Sequence, residues 1–216
     1  MEILKGLPVA QAINEELIKE SQEAGIKPHL AIIRVGERPD DCSYERGATK
    51  KMDKVGFDCT SYVFPQDITD EEFQKEFDKI NKDDNIDGIL LLRPLPKHIN
   101  EKAIEERINP VKDLDGISPI NLAKVYAGDV NGFAPCTAEA VIEMIDYAGI
   151  DLTGKRVTVV GRSLVIGKPV AMMLMKKNAT VTVCHTKTKD MAGTCRNAEV
   201  LVAAAGSAKM IKPDYV

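Results

Sequence analysis

Two kinds of apolar pattern alternate along the chain. Short runs rich in Val, Ile and Leu predict buried strands, at residues 29–35, 59–64, 86–92, 156–160, 180–184 and 199–204. Apolar residues at helical spacing predict helices, at residues 9–24, 41–54, from 69 onward and 137–147. Gly25 marks the end of the first helix, and Thr69 with Glu72 forms a capping box before another. Strands that alternate with helices pair in parallel, so the sequence predicts an α/β fold.

The length of 216 residues favours two domains, and the composition changes between residues 109 and 136. That segment is rich in Pro, Gly, Asp and Asn and predicts a long functional loop. We therefore expect one domain at residues 1–136 and a second at 137–216. The third predicted strand runs into Arg93-Pro94-Leu95-Pro96, where the prolines end it and leave a rigid loop at its carboxyl end. Open α/β sheets bind ligands at that edge.

The segment RVTVVGRSLVIGKP at residues 156–169 predicts a buried strand that turns tightly into a helix. Gly161 permits the turn, Gly167 lets the helix pack close to the sheet, and Pro169 suits the first helical turn. Free N–H groups there favour an anion, so the motif predicts a cradle for a nucleotide's pyrophosphate. The glycine spacing is one residue longer than the common dinucleotide fingerprint, and Ser163 replaces the middle glycine. A βα turn that binds nothing is the alternative.

The second strand of this half ends in a segment that bears on the choice of cofactor. An NAD site usually places an acidic residue there for the ribose hydroxyls, but CHTKT at residues 184–188 contains none. Neutral and basic groups, together with Arg162 in the phosphate turn, would accept a 2′-phosphate. The sequence therefore favours NADP over NAD.

Two positions in the first half carry candidate chemistry. In DLDG at residues 113–116, a carboxylate could bind the polar edge of a ring, although capping a turn is the commoner use. Tyr44 lies early in the helix after the first strand and could stack on a ligand or hydrogen-bond to it. A half-buried tyrosine that only packs is the alternative.

Charge and cysteine content exclude several classes of protein. The net charge is −4 and the basic residues are scattered, which argues against nucleic acid as a partner. The five cysteines are odd in number and have no CxxC pair, so the sequence indicates neither a disulfide framework nor a metal site. The start of the chain lacks the layout of a signal peptide, and no apolar run approaches membrane-spanning length. We expect a reduced, cytoplasmic protein without a membrane partner.

Five segments are specific when they are taken together. They are DGILLLRPLP at 87–96, NPVKDLDGISPIN at 109–121, PCT at 135–137, VVGRSLVIGKP at 159–169 and NATVTVCHTKT at 178–188. In this order they resemble the methylenetetrahydrofolate dehydrogenase/cyclohydrolase family over essentially the whole chain. The resemblance implies an N-terminal three-layer α/β catalytic domain, a Rossmann-type NAD(P)-binding domain, a folate-binding cleft between them and a homodimer.

The resemblance also implies a reaction and a set of site residues. The reaction is oxidation of 5,10-methylenetetrahydrofolate with a nicotinamide cofactor, followed in bifunctional members by hydrolysis to 10-formyltetrahydrofolate. Tyr44 matches the family's folate-stacking tyrosine, Asp115 its pterin-binding aspartate, and Pro94 a substrate-binding position. The matches to the cofactor site are Gly161, Arg162, Ser163, Ile166, Gly167, Pro169, His185, Thr186 and Ala204.

Two positions depart from the family pattern. The family's catalytic lysine lies one helical turn after the tyrosine, where this chain has Ala48, and Leu92 replaces the glutamine that orients the lysine. Neither side chain transfers protons, so we expect a dehydrogenase with weak or absent cyclohydrolase activity. Lys51, two turns after Tyr44, could instead reach back over Ala48 and substitute for the lysine.

Two other hypotheses stay open. A folate- or nucleotide-binding protein without turnover would keep Tyr44 and Asp115 but lack the catalytic pair. An α/β protein with a more apolar cleft could act on a different one-carbon carrier. Family members continue past the position of Val216 with further strands and a C-terminal helix, so we expect a truncated protein or an incomplete sequence.

Overall fold

The computed structural model describes residues 3–216 and divides into two compact units. One unit is Lys5–Asn121, and the other contains Leu122–Val216. Each unit is built on a three-stranded parallel sheet, which confirms the predicted α/β class. The domain boundary expected at residue 136 stays a prediction.

Helices and strands alternate along the chain. The elements are α1 (Gly6–Ala24), β1 (His29–Val35), α2 (Pro39–Val55), β2 (Asp58–Phe64), α3 (Asp70–Lys82), β3 (Gly88–Leu91), α4 (Glu101–Arg107), α5 (Pro119–Ala127), α6 (Cys136–Tyr147), β4 (Arg156–Val160), α7 (Gly167–Lys176), β5 (Thr180–Cys184), α8 (Met191–Arg196), β6 (Val200–Ala203) and a 3₁₀ turn at Pro213–Tyr215. All six predicted strands are present. No helix within residues 3–216 is both long and apolar enough to cross a membrane.

The first sheet has the order β2-β1-β3, with the central strand buried between two layers of helices. Alternate residues of β1 point to opposite faces. Ala31, Ile33 and Val35 belong to a core that includes α3 and α4, whereas Leu30 and Ile32 contact the apolar side of α2. This arrangement gives the three layers that the resemblance implied.

The second sheet has the order β5-β4-β6 and is organised in the same way. Val157 and Val159 on the central strand pack with α6 and α7. Val160 belongs to a separate cluster on the other face, with Cys184 and Cys195 of β5 and α8. Because β4 is parallel to both neighbours, the carboxyl ends of all three strands meet at one edge.

Two expectations from the sequence need correction. The segment 109–136 is not one long loop, because it contains α5, which begins at Pro119 after Ser118; the Ser118 hydroxyl accepts the N–H of Asn121 at 3.1 Å. The helical spacing of apolar residues in α1 also predicts one buried apolar face. Ile13 and Leu17 nevertheless remain exposed, and the buried residues of α1 are Val9 and Asn14.

The capping box at α3 explains why that helix begins where the sequence predicts. The Thr69 hydroxyl accepts the N–H of Glu72 at 3.2 Å, and the Glu72 carboxylate accepts the N–H of Thr69 at 3.1 Å. These bonds satisfy two N–H groups that the helix itself leaves without partners. The helix they begin supplies Phe73 and Phe77 to the core.

We expect Thr69→Ala to lower the free energy of unfolding by about 1 kcal/mol, because the hydroxyl that accepts the N–H of Glu72 and donates to its carboxylate is lost. Urea denaturation followed by circular dichroism measures this change. Glu71→Gln in the same turn leaves the box in place and should change the free energy by less than about 0.5 kcal/mol. Equal effects of the two substitutions would contradict the assignment.

Candidate active site

The turn after β4 packs backbone against backbone more closely than a side chain allows. Gly161 has a φ of 131°, and a Cβ there would lie 2.3 Å from the carbonyl oxygen of Ala204. A Cβ at Gly167, the first residue of α7, would lie 2.3 Å from the carbonyl oxygen of Gly161. Both positions therefore require glycine, and their fit leaves the backbone of the turn accessible to a phosphate.

Ser163 has a structural role in this turn. Its Oγ accepts the N–H groups of Ile166 at 3.1 Å and of Gly167 at 3.4 Å, and its carbonyl oxygen accepts the N–H of Lys168 at 3.0 Å. The serine thus shapes the entry to α7, which explains how the turn tolerates it at the middle position. Pro169 is buried in the first turn of α7, as the sequence predicted.

The ends of β5 and β6 lie beside the glycine turn. The N–H of Gly161 donates to the carbonyl oxygen of Cys184 at 2.9 Å, and the N–H of Ala204 donates to that of Val160 at 2.8 Å. His185 follows Cys184 directly. The structure therefore brings predicted cofactor residues from all three strand ends to one edge of the sheet.

A compact turn orders the segment after β5. The N–H of His185 donates to Oγ1 of Thr188 at 2.8 Å, and the N–H of Lys187 donates to Nδ1 of His185 at 3.1 Å. Thr186 and Lys187 are exposed, as is Arg162 in the neighbouring turn. Hydroxyl and basic groups, and no carboxylate, thus occupy residues 184–188 at this end of β5.

Two cysteines of the second unit pack in its interior. Cys184 and Cys195 are buried, and this burial raises the pKa of each thiol. A raised pKa keeps a thiol protonated at neutral pH and therefore poorly nucleophilic. All five cysteines are free, and within residues 3–216 no group of three or more His, Cys, Asp or Glu side chains could hold a metal.

The two aspartates of DLDG differ in burial and in hydrogen-bond partners. Asp113 is fully buried and accepts the N–H groups of Ile117 at 3.0 Å and Ser118 at 2.8 Å and the side-chain amide of Asn121 at 2.9 Å. Its carboxylate is therefore used to fix the turn. Asp115 is partly exposed, and its Oδ2 lies 3.4 Å from Nη2 of Arg93.

An apolar cluster contains the two positions at which the sequence predicts a departure from the family pattern. Ala48 from α2 and Leu92 from the end of β3 belong to it, together with Ile32 of β1 and Leu114 of the DLDG segment. Helix α2, the end of β3 and the DLDG segment therefore meet at this cluster. Apart from the thiol of Cys59, whose pKa is raised by burial, the side chains of this cluster carry no ionisable group.

The remaining predicted residues of this unit lie around the cluster. Tyr44, one helical turn before Ala48, is 56% exposed. Pro94 is exposed, and its carbonyl oxygen accepts from Nη1 of Arg38 at 2.9 Å. Nζ of Lys51 donates to Oδ1 of Asn14 in α1 at 3.1 Å, so its ammonium is directed toward α1.

Sequence reasoning did not include Arg93 among the site residues. It directly follows Leu92 and pairs with Asp115 across 22 positions of sequence. The only local signal was a basic residue at the carboxyl end of a strand, which does not identify its partner.

Family models match both halves of the chain. Residues 4–115 match the tetrahydrofolate dehydrogenase/cyclohydrolase catalytic domain, and residues 135–216 match the NAD(P)-binding domain of the same family. The chain belongs to this family. The matches assign the DLDG segment and α2 to the catalytic domain and the glycine turn to the NAD(P)-binding domain of a tetrahydrofolate dehydrogenase/cyclohydrolase.

Relatives and solved structures agree with the tetrahydrofolate dehydrogenase/cyclohydrolase assignment. The chain is 50% identical over 218 residues to the bifunctional protein FolD of Clostridioides difficile, which covers 100% of this chain and 76% of that protein. The FolD structure from Campylobacter jejuni is 36% identical with a TM-score of 0.93, over 98% of this chain and 76% of that one. The FolD of Trypanosoma brucei, solved with NADP and an inhibitor, is 35% identical with a TM-score of 0.87, over 95% and 72%.

We expect Gly161→Ala to lower the free energy of unfolding by about 3 kcal/mol, because a Cβ would meet the backbone of Ala204 at a positive φ. Gly206→Ala is the matched control, since no atom lies within 4 Å of a Cβ built there. That control should change the free energy by less than about 0.5 kcal/mol. Thermal and urea unfolding of the two variants measure the difference, and an unaffected Gly161→Ala protein would show that the close approach is wrong.

Proposed function

We propose that this protein oxidises 5,10-methylenetetrahydrofolate to 5,10-methenyltetrahydrofolate with NADP in preference to NAD. The observation that carries the proposal is the turn at Gly161 and Gly167, whose backbone packing leaves no room for side chains, in a chain of the tetrahydrofolate dehydrogenase/cyclohydrolase family. The protein would act as a cytoplasmic homodimer in one-carbon metabolism, on a small-molecule folate and without nucleic acid or membrane partners.

The cofactor is proposed to bind along the carboxyl edge of the second sheet. The N–H groups of Arg162 and Ser163 and the positive end of the α7 dipole would favour its pyrophosphate. The N–H groups of residues 161 and 166–168 donate within the chain instead. Ile166, His185, Thr186 and Ala204 would line the remainder of its site. The bound nicotinamide supplies the hydride acceptor, and the chain's own task is to hold the two reactants in line.

The folate is proposed to bind at the apolar cluster of the first unit. The exposed ring of Tyr44 offers a face for stacking, and the carboxylate of Asp115 accepts from the N–H donors along the edge of a pterin. Pro94 contributes to the wall of this site. These groups bind and orient the substrate, which is the main requirement for hydride transfer.

We infer the preference for NADP from the charges at the ends of β4 and β5. Arg162, Thr186 and Lys187 are exposed there and residues 184–188 contain no carboxylate, so a 2′-phosphate would meet donors rather than a like charge. The Trypanosoma brucei relative was solved with NADP, which supports the same choice.

Appearance of methenyltetrahydrofolate tests the dehydrogenase and its cofactor in one assay. We expect kcat/KM to be higher with NADP than with NAD by about tenfold, the effect of one charge-assisted hydrogen bond. Arg162→Ala should reduce that ratio. Lys155→Ala, just before the amino end of β4, should leave it unchanged. No appearance with either cofactor would favour a binding protein without turnover.

We further propose that the cyclohydrolase step is weak or absent. An acid–base group typically contributes a factor of about 10² to 10⁴, and the apolar pair Ala48 and Leu92 supplies none. Substitution of the family lysine by Lys51 is the alternative. Its ammonium is already engaged by Asn14 and would have to break that bond to act at Ala48.

Decay of methenyltetrahydrofolate to the formyl product distinguishes these possibilities. We expect the wild type to leave the spontaneous rate unchanged and the double variant Ala48→Lys with Leu92→Gln to raise it by about a hundredfold or more. Accelerated decay by the wild type that is lost in Lys51→Ala, but kept in the neighbouring control Lys50→Ala, would establish Lys51 as the substitute.

A further inference from the structure

Arg93 lies at the centre of an ion cluster with three carboxylates. Its Nη1 is 3.1 Å from Oε1 of Glu105 and 3.7 Å from Oε1 of Glu101, and its Nη2 is 3.4 Å from Oδ2 of Asp115. The arginine side chain is 20% exposed and the three acids are 28 to 31% exposed. Because these groups are partly withdrawn from water, their mutual electrostatic interaction exceeds that of an exposed surface pair.

Neighbouring bonds hold the cluster in place. Oε2 of Glu101 accepts the N–H of Leu95 at 2.7 Å, which ties α4 to the proline loop. Arg38 donates to the carbonyl oxygen of Pro94 at 2.9 Å and to Oδ1 of Asp41 at 2.8 Å. The loop that carries the guanidinium is thus fixed by both α2 and α4.

The charges within the cluster do not balance. One guanidinium faces three carboxylates, and Nε of Arg93 is buried without a hydrogen-bond partner among residues 3–216. The neighbouring pair of Arg38 and Asp41 is neutral in sum. Without Arg93, Asp115 would face Glu101 and Glu105 with no counter-charge between them.

We propose that Arg93 is a positioning residue that orients Asp115 toward the N–H edge of a pterin. The ion pair uses Oδ2 and leaves Oδ1 of Asp115 to a ligand. Asp113 does not compete for this role, since its oxygens are engaged by the turn. The inference rests on the proposed function, because it takes Asp115 as the folate-binding group.

Arg93→Met tests the inference, because it keeps the unbranched apolar stem of the side chain and removes its charge and donors. We expect KM for methylenetetrahydrofolate to rise by about tenfold and kcat to change by less than about twofold. Arg93→Lys should restore only part of the KM, because an ammonium lacks the fork of a guanidinium.

Arg107→Met is the matched control, since it removes another ion pair of α4, to Asp78 at 3.1 Å. It should change neither KM nor kcat. A KM that stays unchanged in Arg93→Met, or that rises equally in Arg107→Met, would overturn the inference and leave only a structural role.

Calorimetric binding of 5-formyltetrahydrofolate, which cannot be oxidised in this way, separates the inference from the proposed function. If the wild type binds it without turnover of methylenetetrahydrofolate, the proposed function fails, and weaker binding by Arg93→Met still supports the role of Arg93. If the wild type binds no folate, both proposals fail.

Discussion

A buried central strand with a parallel partner on each side is the constraint on which both units depend. Residues 30–33 of β1 and 157–160 of β4 have no exposed face, so helices must cover both sides of each sheet. Parallel pairing also places the carboxyl ends of all strands of a unit at one edge of its sheet. Gly161, His185 and Ala204 are distant in sequence and meet only for this reason. The location of each candidate site is therefore a consequence of topology, and its chemistry depends on which residues follow the strands.

The apolar cluster explains why Ala48 and Leu92 occur together. A lysine at position 48 beside Leu92 would place an ammonium among apolar side chains without a partner. A glutamine at position 92 beside Ala48 would leave a buried amide with too few hydrogen bonds. Either single change is unfavourable, whereas the two apolar residues pack against Leu30 and Ile32. The two positions thus share one apolar environment, in which neither side chain needs a polar partner.

Features that depend on neighbours in sequence could be predicted, and those that depend on distant partners could not. The capping box of Thr69 and Glu72 is set by residues within a few positions and formed as predicted. The motif around Gly161 predicted its turn, but not the backbone of the distant Ala204 against which it packs. The partners of Asp113 and Asp115 are Asn121 and Arg93, which lie outside the motif. The motif alone therefore could not predict how the two aspartates differ. The bond from Lys51 to Asn14 joins two helices, and no pattern within either helix indicates it.

Arg93 shows how a site can keep a cation and still lack an acid–base group. A guanidinium remains protonated at any pH that the protein tolerates, so it orients and neutralises carboxylates but does not shuttle protons. A lysine can do both, because its pKa falls readily when it is buried. Ala48 and Leu92 likewise carry no group that activates water. Under the proposed function they are compatible with hydride transfer, which requires mainly that the folate is held in place, and they contribute nothing to hydrolysis, which requires a proton-transfer group.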